Sequence, residues 1–193
     1  MPPITKFWLS TLKDKKSTDS PEFTQLLADI LTLCSSYTNP DTASPRMHAL
    51  YQDINNPAQL VMITGYPSQE LNTEADKFYA AKYLPRMFEH VQHVWLKQLD
   101  IDVTTLHLDD DRLVVTHGTA PSTWKDGKSP GGLDVWQKTR QALDNENGAR
   151  GVEILDNPVD ADWLQVSTWD GGAQNAAKPE AGGVFYPRKV MGR

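Results

Sequence analysis

The period of the hydrophobic pattern changes repeatedly along the chain, and each change marks an element. Ile4 to Leu12 mixes aromatic, branched and apolar residues and predicts a strand. Ser20-Pro21-Glu22 opens a helix, with Ser as N-cap, Pro at the first helical position and an acid in the first turn. Phe23, Leu26, Leu27, Ile30, Cys34 and Tyr37 then share one helical face, and Asn39-Pro40-Asp41 stops it. Met47 to Ile54 and Leu60 to Tyr66 predict strands joined at Asn55-Asn56-Pro57, a turn so short that the pair must be antiparallel. Ser68 caps a second helix whose stripe is Leu71, Ala75, Phe78 and Tyr79, and Pro85 must kink or end it. Val91 to Ile101 predicts a fourth strand, apolar on both faces.

Strand, helix, strand, strand, helix, strand is the order of the split βαβ plait: an α+β, ferredoxin-like unit with an antiparallel sheet and helices on one face. The remainder is less regular. Leu106-His107-Leu108, Asp109-Asp110-Asp111 and Leu113-Val114-Val115 read as strand, acidic turn and strand. Gly118 to Gly132 is a long Gly/Pro/Ser/Lys loop, and Leu133, Trp136, Thr139, Arg140 and Leu143 make a weaker helical stripe ended by Gly148. Val152 to Leu155, the Asn157-Pro158 turn and Trp163 to Trp169 repeat the pattern of Tyr51 to Pro57 and Leu60 to Tyr66, with two extra residues in the turn. After Gly171 only Val184-Phe185-Tyr186 can pack. The predicted organisation is a ferredoxin-like unit over 1–102, a degenerate second half over 103–170 packed against it, and an extended tail over 171–193.

Composition narrows the function. The chain has 193 residues, 39% hydrophobic and 23% charged, and a net charge of -6. A mildly acidic chain with no Lys/Arg cluster is not built for nucleic acid or an anionic membrane surface. No apolar run approaches the roughly 20 residues of a membrane span, and the N-terminus lacks a secretory signal, which together place the protein in the cytoplasm. Cys34 is the single cysteine, so an internal disulfide or a cysteine-rich zinc site is excluded, and its helical spacing among apolar residues predicts core packing. Phosphate, dinucleotide, nucleophile-elbow and zincin motifs are missing, which favours a site without a cofactor. Asp109 to Asp111 lack the spacing and glycine of a calcium loop, so no metal is expected.

The stretches Asn55-Asn56-Pro57, Leu60 to Ser68 and Val91 to Asp102 resemble the fungal branch of the dimeric α+β barrel proteins, the antibiotic-biosynthesis-monooxygenase-like superfamily. The resemblance covers about half the chain. It departs where the family's third strand ends in Trp, one residue, then Ser: here the ends are Tyr66-Pro67-Ser68 and Trp169-Asp170-Gly171. It implies a sheet packed on a second sheet to close a barrel, the second coming from a fused repeat or from the partner in a homodimer. Members include cofactor-independent monooxygenases, haem-degrading enzymes, and cyclases or isomerases of polyketide-like aromatics, so the fold leaves the reaction open.

The candidate chemistry lies on the fourth strand. Strict alternation puts His93, Trp95, Lys97 and Leu99 on one face. A His, a Trp and a Lys on an inward face need partners or a cavity. An imidazole titrating near neutrality beside flat aromatic walls suits proton transfer on an aromatic or enolisable substrate. His93, Tyr66 and Tyr51 are therefore the catalytic candidates, and Trp8, Trp95, Lys97 and Trp169 the substrate-binding ones. With the resemblance, they imply acid–base isomerisation or cyclisation of a polyketide-type aromatic in fungal secondary metabolism. The alternatives are a cofactor-free monooxygenase, or a non-catalytic binding or assembly protein in which this face only meets the partner sheet.

Overall fold

The computed structural model describes residues 3–38, 46–99, 101–106, 108, 113–118, 135–138, 140–142, 154–155, 163–168, 182–185 and 187–192. The first half follows the expected order: β1 (Ile4–Leu12), α1 (Pro21–Ser36), β2 (His48–Asp53), β3 (Gln59–Tyr66), α2 (Gln69–Lys82), α3 (Leu84–His90) and β4 (Val91–Leu99). Pro85 sits in the first turn of α3, so the long helix is broken there into two. The four strands lie in the order β2-β3-β1-β4, all antiparallel, which is the ferredoxin-like plait.

Beyond β4 come a 3₁₀ turn (Val103–Leu106) and the strands β5 (Leu113–Gly118), β6 (Val135–Lys138), β7 (Arg140–Ala142), β8 (Ile154–Leu155), β9 (Trp163–Thr168), β10 (Gly182–Phe185) and β11 (Pro187–Gly192). Two sequence expectations fail here. The stripe from Leu133 to Leu143 is not a helix: its described residues form β6 and β7, because pairing to β9 and β4 overrides a weak helical period. Leu106 closes the 3₁₀ turn and Leu108 lies in a turn, so neither belongs to a strand. His107, the Asp109–Asp111 run, the 119–132 segment and Trp169 lie outside the described residues.

One sheet runs β11-β2-β3-β1-β4-β7-β8 and the other β10-β5-β9-β6. Read from its far end, the second sheet has the order β6-β9-β5-β10, the same as β2-β3-β1-β4 with every pair antiparallel. The Trp163 strand thus takes the place of the Leu60 strand. Its hairpin partner is not Val152–Leu155: β8 pairs with β7 in the first sheet, and β6 supplies the neighbour of β9. A fourth strand of the second sheet does exist, β10: it contains Val184 and Phe185, which were expected to pack, but its other half is glycine, so it was not expected as a strand.

Two chain segments pass from one sheet to the other. β6 and β7 are separated by one residue but belong to different sheets, and so do β10 and β11. Strands that switch sheets make the corners between packed sheets, and both of these crossings lie within one chain. β11 reaches β2 with a bulge between Lys189 and Met191.

Both faces of the first sheet are covered, which explains the near-continuous apolar runs. Phe7, Leu9, Ala49, Tyr51, Val61, Ile63 and Leu99 pack between the sheets with Leu113, Val115, Leu164 and Val166. On the other face Trp8, Leu50, Leu60 and Met62 meet Phe23, Leu26, Leu27 and Ile30 of α1, Tyr79 of α2, and Met87 of α3. Gly65 keeps β3 against the 3₁₀ turn: a Cβ there would sit 2.1 Å from Cγ1 of Val103, so no larger residue fits without displacement. On α2 the inner row is Asn72, Ala75 and Tyr79, while Phe78 is 59% exposed and Leu71 half-buried. The row that faces the sheet runs 72, 75, 79, and the stripe expected from Leu71 to Phe78 lies on its flank.

Candidate active site

A half-open pocket with a cavity of about 30 Å³ lies on the helix side of the first sheet. β1 contributes Lys6 and Trp8, β3 contributes Met62, Thr64 and Tyr66, and β4 contributes Leu96. Ile30 and Cys34 of α1 and Asp76 and Tyr79 of α2 close the other side. Alternation assembles it, because Lys6 and Trp8 point opposite to Phe7 and Leu9, and Met62, Thr64 and Tyr66 opposite to Val61 and Ile63.

The pocket is apolar except at one end. There Lys6 Nζ lies 2.5 Å from Oδ1 of Asp76, and the ammonium stands 5.7 Å from the centre of the Tyr66 ring. Lys6 is only 7% exposed. The Tyr66 hydroxyl and the Cys34 thiol both line this pocket and are buried. Burial raises both pKa values, that of Tyr66 well above its ordinary range, and the two groups therefore stay protonated. Behind Tyr66 the His48 ring lies 5.6 Å away, fully buried, with Nε2 2.7 Å from Oγ1 of Thr38. Burial first, and the Lys6 charge second, lower the His48 pKa to about 3, so it is neutral.

His93 is a neighbour of this pocket and not part of its lining. Trp8 Nε1 donates to His93 Nδ1 at 2.9 Å. An indole nitrogen can only donate, so Nδ1 is an acceptor and the ring proton resides on Nε2. Of the expected shared face of His93, Trp95, Lys97 and Leu99, the last three stay together and His93 departs. The β1–β4 register runs Leu9↔Trp95 and then Ser10↔His93, skipping Val94. That bulge turns His93 to the helix side with Trp8, while Trp95 packs against the cluster between the sheets and Lys97 stands 5.4 Å from its ring.

Tyr51 also lies between the sheets, fully buried, with its hydroxyl 3.3 Å from the carbonyl oxygen of Leu108. The structure therefore brings Tyr66, Trp8 and, behind Trp8, His93 together, and places Tyr51, Trp95 and Lys97 on the opposite face of the sheet. Sequence reasoning missed Lys6, Asp76 and His48. Lys6 could have been found, as the single charge in an otherwise uncharged strand. Asp76 could not, because an acid on a polar helix flank carries no signal of its own. Cys34 packs in the core as expected and lines the pocket as well.

Among the described residues no group of three or more His, Cys, Asp or Glu could hold a metal ion. Nor do the lining residues make an axial set for a haem: no histidine lines the pocket, and its thiol and phenol are held protonated. No helix among the described residues is long and apolar enough to cross a membrane.

The comparisons bear on the fold. No family model matches the sequence, and no curated protein matches it. A solved structure described as a "Putative Chlorite dismutase" is similar over 99% of this chain and 96% of that one, with a TM-score of 0.53 and 11% identity. The chain shares the overall fold of that protein, and its own strand order makes that fold a ferredoxin-like α+β one.

Proposed function

We propose that the chain is an acid–base enzyme that isomerises or cyclises a small polyketide-type aromatic carbonyl compound, without a cofactor, in the pocket between sheet and helices. The observation that carries the reading is the Lys6–Asp76 ion pair at the polar end of an otherwise apolar pocket. Asp76 is the proton acceptor. Lys6 and the protonated Tyr66 hydroxyl stabilise the oxyanion that forms when a carbon next to a carbonyl loses its proton. Trp8 is the flat wall, and its hydrogen bond to His93 holds its orientation. His93 thus becomes a positioning residue where the sequence alone made it the base. Trp95, Lys97 and Tyr51 support the sheet from its other side.

The division into a ferredoxin-like unit over 1–102 and a second half over 103–170 belongs to the same proposal. The matching strand orders support it, with the fourth strand of the second sheet drawn from 171–193.

The test is exchange of the acidic α-protons of 2-tetralone in D₂O, followed by ¹H NMR. The protein should accelerate exchange, and Asp76→Asn should reduce the acceleration by about 100-fold, the lower end of what a positioned base contributes. Exchange no faster than in protein-free buffer, or equal in the variant, would overturn the reading.

A further inference from the structure

The pocket contains two nucleophiles, the Cys34 thiol and the Lys6 amine. Burial raises the pKa of the thiol, which stays protonated. Lys6 is placed differently: it is 7% exposed, and the Asp76 carboxylate 2.5 Å away can take up its proton. We propose that Lys6 condenses with the carbonyl carbon of an aromatic aldehyde or ketone bound in the pocket, forming an imine. This rests on the reading above in placing a carbonyl compound there, and it replaces the contact of the Lys6 ammonium with an oxyanion by a covalent bond to the carbonyl carbon.

The step balances within the pair. The ammonium of Lys6 gives a proton to Asp76, and the freed amine adds to the carbonyl carbon. A proton passes from nitrogen to the carbonyl oxygen, giving a neutral carbinolamine. Asp76, now a carboxylic acid, protonates the carbinolamine hydroxyl, which leaves as water while the nitrogen lone pair closes the C=N bond. The product is a protonated imine facing an Asp76 carboxylate, the same charges as at the start. Three features of the site favour it. The carboxylate shuttles the proton without a group from solvent. The walls Trp8, Met62, Leu96 and Ile30 offer an aromatic carbonyl compound apolar contact beside Nζ. The Tyr66 ring beside Nζ attracts the cationic nitrogen before and after condensation. The protonated imine is also a stronger electron sink than the parent carbonyl, so it would ease loss of the neighbouring proton.

The experiment uses the full chain, limiting benzaldehyde and cyanoborohydride, which reduces the imine to a stable benzyl-lysine, and peptide mapping to locate the label. Lys6 should carry at least about ten times the label of the exposed Lys15 and Lys16, a ratio equivalent to about 1.4 kcal/mol of preference. The preference should vanish in denaturing urea, and excess 2-tetralone added together with the reductant should replace the benzyl adduct on Lys6 by a tetralyl adduct. Equal labelling of the three lysines in the native protein would overturn the proposal, as would a preference that survives urea. The two readings separate cleanly. If the protein exchanges 2-tetralone protons but Lys6 is not preferred, the imine falls and proton transfer stands. If Lys6 is labelled and exchange stays at the buffer rate, the imine stands and the proton-transfer enzyme falls.

Discussion

His48 makes the stability of this protein depend on pH in a way that can be worked out in advance. Its ring is fully buried beside Tyr66, and its pKa is lowered from 6.5 to about 3, by burial first and by the Lys6 charge second. The folded value lies below the unfolded one, so between those values the unfolded chain binds more protons. Stability from this group is therefore fully present above about pH 6.5 and is lost as the pH falls toward 3. Going from pH 7.5 to pH 5, the population of protonated unfolded chain costs about 2 kcal/mol, at 1.36 kcal/mol per unit of pKa difference. With a urea slope of about 2 kcal/mol/M, the midpoint should fall by about 1 M. The assay is urea unfolding followed by tryptophan fluorescence at both pH values, in the wild type and in His48→Gln. The variant removes the titrating ring, so it should be less stable at pH 7.5 and should lose about 2 kcal/mol less on acidification than the wild type. Carboxylates titrate in both proteins and cancel in the difference. Equal pH dependence in the two proteins would refute the argument that His48 is held neutral by burial.

Gly65→Ala should destabilise by about 1–3 kcal/mol in the same assay, because its methyl overlaps Val103; adding Val103→Ala should recover part of that loss. Asp76→Asn leaves a nearly buried ammonium without its carboxylate and should cost about 2 kcal/mol, discounted from the fully buried case because Asp76 is 18% exposed. Lys6→Met combined with Asp76→Leu should cost less than Asp76→Asn alone, since no charge is stranded; a larger cost would show that the pair holds the fold. In ¹⁵N NMR the His93 ring should carry its proton on Nε2, and Trp8→Phe should release it to a mixture of tautomers; an unchanged tautomer would break the link between the two rings.

Much of the plait was legible in the sequence because its signals are local. Ser68 caps α2 through a hydrogen bond from the Leu71 N–H to its hydroxyl, Pro21 opens α1, and Pro85 divides the next helix, each by backbone chemistry confined to one turn. The apolar stripe of α1 and the runs of β1 and β3 name their own burial. The second sheet was legible only in its Leu113 and Trp163 strands, because β6, β7 and β10 owe their conformation to partners far away in the chain.

The candidate site divides along the same line. Sequence alone put Trp8 and Tyr66 among the groups worth watching, since large polar-tipped rings in apolar strands must go somewhere. Which face each residue occupies was a tertiary matter. One skipped residue, Val94, turns His93 away from Trp95 and Lys97, and no local preference marks that bulge. Asp76 joins Lys6 across 70 residues only because α2 crosses β1 there. The sequence by itself determined the elements and their apolar faces, which follow from short-range periodicity. The register, the packing of the two sheets and the meeting of Lys6, Asp76 and Tyr66 were decided by long-range pairing, whose energy depends on partners that no single stretch contains.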